Sequence, residues 1–308
     1  MSNDILVIGA GGFVGQHLVR TLARLDEKVI AVSHQPIDFG TAGVESITGE
    51  LDEPEQFLPL IARSRLVIHL ASKSTPGSSA GNTMMELQGN LKPTLALLQA
   101  LQNKPDTNLL YLSSGGSLYA TEPSDLTTEI ANPHPRSYHG AGKIAAEHFI
   151  YAWCSQYGSA ATILRPSNIY GPGQKERTGF GIIPASFGKI IRGETLTVWG
   201  DGSAIRDYLY IDDFVVLCIA IIGAPMPVGA RVLNAASATE VSLNELFSAM
   251  ESVTGCQLRR QYDESRAVDA ARVVMDVTRA KLHYGWTPTT SLYDGLKQTW
   301  DWLNTTRH

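Results

Sequence analysis

The sequence predicts an α/β protein: a doubly wound parallel sheet followed by a second, smaller C-terminal lobe. Three observations predict it. Short apolar, β-branched runs alternate with helical patterns through the first half of the chain. A glycine-rich turn, Gly9-Ala10-Gly11-Gly12-Phe13-Val14-Gly15, joins the first run to the first helical pattern. The runs are apolar without alternation, as expected when helices cover both faces of a parallel sheet.

The elements follow in order. Ile5–Ile8 reads as a strand, and residues 13–25 read as a helix with Val14, Leu18, Leu22 and Leu25 on one face. Lys28–Ser33, Val44–Thr48 and Leu66–Leu70 are further strands, and Met84–Leu101 is helical. Asn108–Ser113 is a strand, Ser137–Tyr157 a long helix, and Thr162–Leu164 one more strand. Beyond about residue 166 the alternation loosens, and Gly and Pro become frequent as far as Pro184. The reading therefore assigns 1–166, with about 207–236, to a dinucleotide-binding domain, and about 167–206 with 237–308 to the second lobe.

Composition narrows the function classes. A chain of 308 residues with 44% hydrophobic and 18% charged residues buries a large core, which excludes wholesale disorder. The net charge is −5 and no stretch concentrates Lys or Arg, so no nucleic-acid or anionic-membrane partner is expected. Cys154, Cys218 and Cys256 are far apart, which suggests no metal site, no disulfide framework and a reducing cytoplasm. No apolar run approaches the length of a membrane span or a secretory signal.

The glycine turn carries the first chemistry. Gly9, Gly12 and Gly15 give G-x-x-G-x-x-G between a strand and a helix, the Rossmann-type arrangement. Gly9 permits the tight turn, Gly12 lets the backbone approach a pyrophosphate, and Gly15 lets the helix pack on the strand. Phe13 and Val14 open the helix, whose free N–H groups and positive dipole end suit the phosphates. The end of the second strand selects the cofactor: an acid there would bind the ribose and repel a 2′-phosphate. Here it reads Ser33-His34-Gln35, with neither an acid nor an Arg or Lys, so NAD and NADP both remain open. His34 is a candidate for the ribose-phosphate region.

Several phrases together resemble the extended short-chain dehydrogenase/reductase family, in its NAD-dependent epimerase/dehydratase, nucleotide-sugar branch. They are the glycine turn, His69-Leu70-Ala71, Leu112-Ser113-Ser114, and residues 164–173 from Leu164-Arg165-Pro166 to Gly171-Pro172-Gly173. Residues 198–202 and 206–213, Arg266-Ala267-Val268-Asp269 and Gly285-Trp286-Thr287-Pro288 continue the set over nearly the whole chain. The resemblance implies a nicotinamide cofactor beside Leu70 and Ala71, and a nucleotide-sugar substrate held by the second lobe. It implies that Asn168 touches the nucleotide-sugar, that Arg206 and Arg266 hold its diphosphate, and that Val198 and Asp269 lie near the nucleoside. Two guanidinium forks suit a pyrophosphate. It also implies a possible homodimer through the helices 84–101 and 137–157, whose leucines and aromatics could equally face the sheet.

The family's working parts are a Ser or Thr after the fifth strand and a Tyr-x-x-x-Lys on the next helix. Both are altered. The Ser/Thr position falls on Gly115, flanked by Ser114 and Ser117 as alternative hydroxyls. Lys143 is present, but His139 stands four residues before it and Tyr138 five before it. At about 100° per residue, positions 139 and 143 lie about 40° apart and 138 and 143 about 140° apart. The geometry favours His139, whose imidazole can exchange protons near neutral pH; Lys143⁺ would favour its neutral form. Tyr138 would serve if the helix began one residue later. Gly140 and Gly142 leave room for a close approach by cofactor or substrate, at about 1 kcal/mol each in a helix interior.

The expected function is that of a nucleotide-sugar oxidoreductase/epimerase acting at hexose C4, UDP-hexose 4-epimerase-like, or alternatively an NADPH-dependent 4-keto-sugar reductase. Dehydration is disfavoured because relatives that dehydrate place Asp-Glu where this chain has Gly116 and Ser117. A reading from another class is a cofactor- and nucleotide-sugar-binding protein without turnover.

Overall fold

The computed structural model describes residues 3–75, 77–119, 126–177, 181–265 and 270–306. The chain forms two compact units: Met1–Ser114, Ser137–Arg165 and Val215–Leu233 make the first, and Gly115–Arg136, Pro166–Phe214 and Asn234–His308 the second.

The first unit is built on β1 (Asp4–Ile8), α1 (Phe13–Arg24), β2 (Val29–Ser33), β3 (Val44–Thr48), α2 (Pro54–Arg63) and β4 (Ser64–His69). It continues through α3 (Thr83–Glu86), a π turn at Leu87–Leu91, α4 (Lys92–Leu101) and β5 (Asn108–Leu112). In chain order α5 (Gly115–Leu118), which is part of the second unit, comes next, followed by α6 (Tyr138–Tyr157) and β6 (Ala160–Pro166). The seven-stranded sheet runs β11-β6-β5-β4-β1-β2-β3, where β11 is Gly229–Ala235. The pairs from β3 across to β6 are parallel. Strand order reverses between β1 and β4, and ligands of open α/β sheets bind beyond the carboxyl ends at such a switch point.

The inner strands are apolar because both faces are covered, while the edge strand β3 is largely exposed. Leu6, Ile30, Val67, Leu109 and Ile163 pack in one core with Leu97 and Leu101 of α4 and Ile150 and Trp153 of α6. Leu25 does not join that core: it follows the last turn of α1 and is exposed. The continuous helix expected over Met84–Leu101 is broken by the π turn, beside which Glu86 and Asn90 are both buried. Leucines of α4 face the core, whereas Met84, Leu87 and Phe149 are exposed. The sequence reading passed over α2, which carries Pro59 inside it; its start is secured by Pro54 and a reciprocal cap between Glu53 and Gln56.

The second unit contains short strand pairs and helices. β7 (Asn168–Tyr170) precedes α7 (Ile182–Arg192), β8 (Leu196–Trp199), β9 (Ile205–Arg206) and β10 (Tyr208–Tyr210), after which α8 (Ile211–Gly223) begins. Beyond β11 come β12 (Val241–Ser242), α9 (Leu243–Thr254), β13 (Arg260–Asp263), β14 (Arg272–Val273), α10 (Thr278–Tyr284) and α11 (Leu292–Thr305). β7 pairs with β10 in parallel and β13 with β8 in parallel, while β9 takes β12 antiparallel and β14 parallel. Asp207 is fully buried as an acceptor: Ser237 donates from its backbone N and Oγ at 2.7 and 2.9 Å, and Ala238 N donates at 2.9 Å. Among the described residues, no helix is long and apolar enough to cross a membrane.

Candidate active site

The glycine turn sits at the switch point, and its glycines are required by contact. Gly9 has φ +90°, and a Cβ there would lie 2.7 Å from Ala71 N. A Cβ at Gly15 would lie 2.8 Å from Ala10 Cα. Gly9 N and Ala10 N both donate to Val32 O, at 3.0 and 2.9 Å, and Leu70 N donates to Ile8 O at 2.9 Å, which ties β1, β2 and β4 around the turn. Gly12 caps α1 with no side-chain hydrogen bond, and the first turn carries no acid. An uncapped helix N-terminus behind a side-chain-free cradle fits a dinucleotide pyrophosphate. Phe13 and Val14 are half-buried at the start of α1. Ser33 is buried, with its hydroxyl donating to Gln35 O at 2.6 Å, and His34 is exposed.

The proton-exchanging groups lie on α6. Ser137 caps the helix by accepting from Gly140 N at 3.1 Å, so the helix begins at Tyr138. Tyr138 is 46% exposed, whereas His139 and Lys143 are 7% and 4% exposed. The alternative register, a helix starting one residue later with Tyr138 turned inward, is not the one adopted. Lys143 Nζ donates to Leu112 O at 2.7 Å and lies 4.9 Å from the Tyr111 ring centroid. Burial lowers the Lys143 ammonium to about 8, against the pull of the Glu86 and Glu147 carboxylates. Burial and then Lys143 push His69 down to about 3, so it is a neutral core histidine bonded to Thr94 Oγ1 at 3.0 Å.

His139 is held by groups that the sequence reading did not find. Its Nδ1 lies 2.9 Å from Ser74 Oγ and 3.7 Å from Glu86 Oε2. Ser74 Oγ in turn donates to Glu86, and Asn90 Nδ2 donates to Ser74 Oγ at 2.7 Å and to Glu86 Oε2 at 2.9 Å. Burial alone raises the Glu86 carboxyl, but hydrogen bonds from His139, Ser74 and Asn90 outweigh it and leave it below the ordinary range. The ionised Glu86 carboxylate therefore stands 3.7 Å from Nδ1 of the buried ring.

Glu86 also accounts for one of the two helix glycines. A Cβ at Gly142 would lie 2.5 Å from Glu86 Cγ. Gly→Ala in a helix interior normally gains about 1 kcal/mol, whereas overpacking costs about 1–3 kcal/mol. Gly142→Ala is therefore expected not to stabilise the protein and to destabilise it by up to about 2 kcal/mol in urea unfolding. A stabilised Gly142→Ala protein would show that the two helices do not approach this closely.

The loop after β5 lacks the family hydroxyl for a steric reason as well. A Cβ at Gly115 would lie 2.6 Å from Met275 Cε and 3.0 Å from Pro166 O. Ser114 and Ser117 are each half-buried. Ser113, by contrast, donates to Glu147 Oε1 at 2.5 Å, and Arg165 holds the same carboxylate through Nε at 3.1 Å and Nη2 at 2.6 Å. That buried pair belongs to the framework behind Lys143.

The expected nucleotide-sugar residues fall in the second unit. Asn168 is exposed and donates to Asp207 O at 2.8 Å, and Arg206 is half-buried with Nη1 donating to Ile205 O at 2.9 Å. Val198 is buried with Leu196, Phe247 and Leu258, so its side chain is spent in that cluster and only its backbone is left for a ligand. Arg266 and Asp269 lie outside the described residues.

Known proteins are similar to this chain over nearly its whole length. The UDP-glucose 4-epimerase of Mycolicibacterium smegmatis is 28% identical over 307 residues, covering 96% of each chain. The crystal structure of UDP-glucose 4-epimerase with UDP-glucose from Thermotoga maritima superposes with a TM-score of 0.92 at 27% identity, covering 99% of this chain and 100% of that one. MoeE5, solved in complex with UDP-glucuronic acid and NAD, superposes with a TM-score of 0.89 at 28% identity, covering 98% and 99%. Residues 5–236 match the model of the NAD dependent epimerase/dehydratase family, and the chain belongs to that family.

Proposed function

We propose that this protein is a UDP-hexose 4-epimerase-like enzyme in which His139 replaces the family tyrosine as acid/base. The observation that carries the reading is the register of α6, which buries His139 and Lys143 on one face and leaves Tyr138 outside. The Gly9–Gly15 turn holds the dinucleotide pyrophosphate. When bound, the nicotinamide supplies a reversible hydride acceptor for the hexose C4. His139 takes the proton of the 4-hydroxyl as C4 is oxidised and returns it on reduction. Lys143 spends one of its three donors on Leu112 O and offers the others to the nicotinamide ribose. Ser114 and Ser117 remain as hydroxyls near the end of β5. Asn168, Arg206, Arg266, Asp269 and the Val198 backbone hold the nucleotide-sugar.

NAD is the cofactor proposed, since MoeE5 was solved with it. One observation favours a second reading, an NADPH-dependent 4-keto-sugar reductase: Ser33 and His34 leave a 2′-phosphate unopposed. The experiment is to incubate the purified protein with UDP-glucose and no added cofactor, and to follow UDP-galactose. Epimerisation under those conditions supports the proposal. Turnover of a 4-keto-sugar that requires added NADPH supports the reductase, and ligand binding without turnover on any nucleotide-sugar rules out both. Arg206→Ala should weaken nucleotide-sugar binding by about 1.5–3 kcal/mol, the scale of a charged hydrogen bond, with dinucleotide affinity unchanged. Calorimetric titration of each ligand checks it.

A further inference from the structure

We infer that Glu86, acting through Ser74, is a positioning residue that keeps the proton of neutral His139 on Nδ1 and the lone pair on Nε2. The inference rests on the reading of His139 as the acid/base and explains how a histidine does that work here.

The assignment follows from counting donors and acceptors. Lys73 N donates to Asn90 Oδ1 at 2.8 Å, which fixes the amide with its NH₂ toward Ser74 and Glu86. Asn90 Nδ2 then donates to Ser74 Oγ and to Glu86 Oε2. Ser74 has a single hydroxyl hydrogen, and an ionised carboxylate accepts only. That hydrogen goes to Glu86. Ser74 Oγ is then left as an acceptor toward His139 Nδ1 at 2.9 Å, so Nδ1 must carry the hydrogen. The opposite tautomer would turn the serine hydrogen to Nδ1 and set Ser74 Oγ lone pair to lone pair against Glu86 in a buried site, where an unmade hydrogen bond to a charge is costly.

All four side chains are buried, and they come from separate pieces of chain: the segment after β4, α3, the π turn and α6. The described hydrogen bonds of the ring are all at Nδ1, which leaves Nε2 to exchange a proton with substrate. On protonation at Nε2, the ring becomes an imidazolium with Glu86 3.7 Å from Nδ1. The carboxylate therefore stabilises the charge that forms as the sugar hydroxyl gives up its proton.

The test reads the tautomer directly, in the full chain labelled with ¹⁵N-histidine. The His139 ring nitrogens are assigned by their loss in His139→Gln. Long-range proton–nitrogen correlation should show Nδ1 protonated and Nε2 unprotonated in the wild type. In Glu86→Ala the serine hydrogen loses its acceptor and is freed for Nδ1. The Nε2-protonated form should then dominate, and kcat should fall by about 10²–10⁴-fold, the scale of general acid–base catalysis, with KM little changed. Ser74→Ala removes the acceptor without altering the carboxylate, and should give a mixture of tautomers; it serves if Glu86→Ala does not fold. A wild-type proton on Nε2, or an unchanged tautomer in the variants, overturns the inference. The stated tautomer shift combined with full turnover in His139→Phe upholds the positioning by Glu86 and removes only the acid/base role of His139.

Discussion

Replacing His139 with Phe is expected to abolish most turnover while leaving the dinucleotide bound. The loss should be about 10²–10⁴-fold in kcat, because general acid–base catalysis contributes on that scale. Tyr138→Phe should change kcat little, since Tyr138 is exposed in the first turn of α6 while His139 and Lys143 are buried. Steady-state kinetics on the two variants, with bound dinucleotide quantified in each, separates the cases. An inactive Tyr138→Phe beside an active His139→Phe would mean that α6 adopts a different register in the working enzyme.

Gly12→Val should give a folded protein that no longer holds dinucleotide. A Cβ at position 12 meets nothing closer than Gly9 O at 3.2 Å, so the turn can accept one by a small adjustment. The branched side chain then competes with the pyrophosphate for the uncapped end of α1. Losing about two charge-assisted hydrogen bonds, at about 1.5–3 kcal/mol each, reduces affinity by roughly 10²-fold or more. Gly15 behaves differently. A Cβ there would lie 2.8 Å from Ala10 Cα, against backbone that cannot move aside, and Gly15→Val should fail to fold. Circular dichroism melts beside dinucleotide titrations check both; a folded Gly12→Val protein with unchanged affinity would remove the pyrophosphate from this turn.

The inner strands were legible because burial on both faces imposes apolar runs that no amphipathic surface element shares, whereas the edge strand β3 is largely exposed. Val44–Thr48 and the start of α1 at Phe13 were read at their observed positions. The orientation of His139 was legible too, because helical arithmetic alone separates it from Tyr138. Two elements were not. α2 carries Pro59 within its span, and the local signal of a helix breaker hid a helix that its cap and its buried Phe57, Leu60 and Ile61 sustain. The π turn between Glu86 and Lys92 adds a residue to one helical turn, which apolar periodicity over Met84–Leu101 does not register.

The partners of His139 escaped the sequence for a different reason. Ser74 and His139 are 65 positions apart, and neither Ser74, Glu86 nor Asn90 belongs to a spaced motif. A signal did exist. Gly142 is costly inside a helix, and the close approach it permits is by the Glu86 side chain rather than by a ligand. A helix glycine one residue before a buried lysine thus marked the carboxylate's place without naming the carboxylate.

The most direct measurement is a crystal structure with both a nicotinamide dinucleotide and a nucleotide-sugar bound. The account predicts His139 Nε2 within about 2.6–3.2 Å of the hexose 4-hydroxyl, with Nδ1 still on Ser74 and Tyr138 in solvent. A 4-hydroxyl bonded to Tyr138, or one without contact to His139, would contradict it.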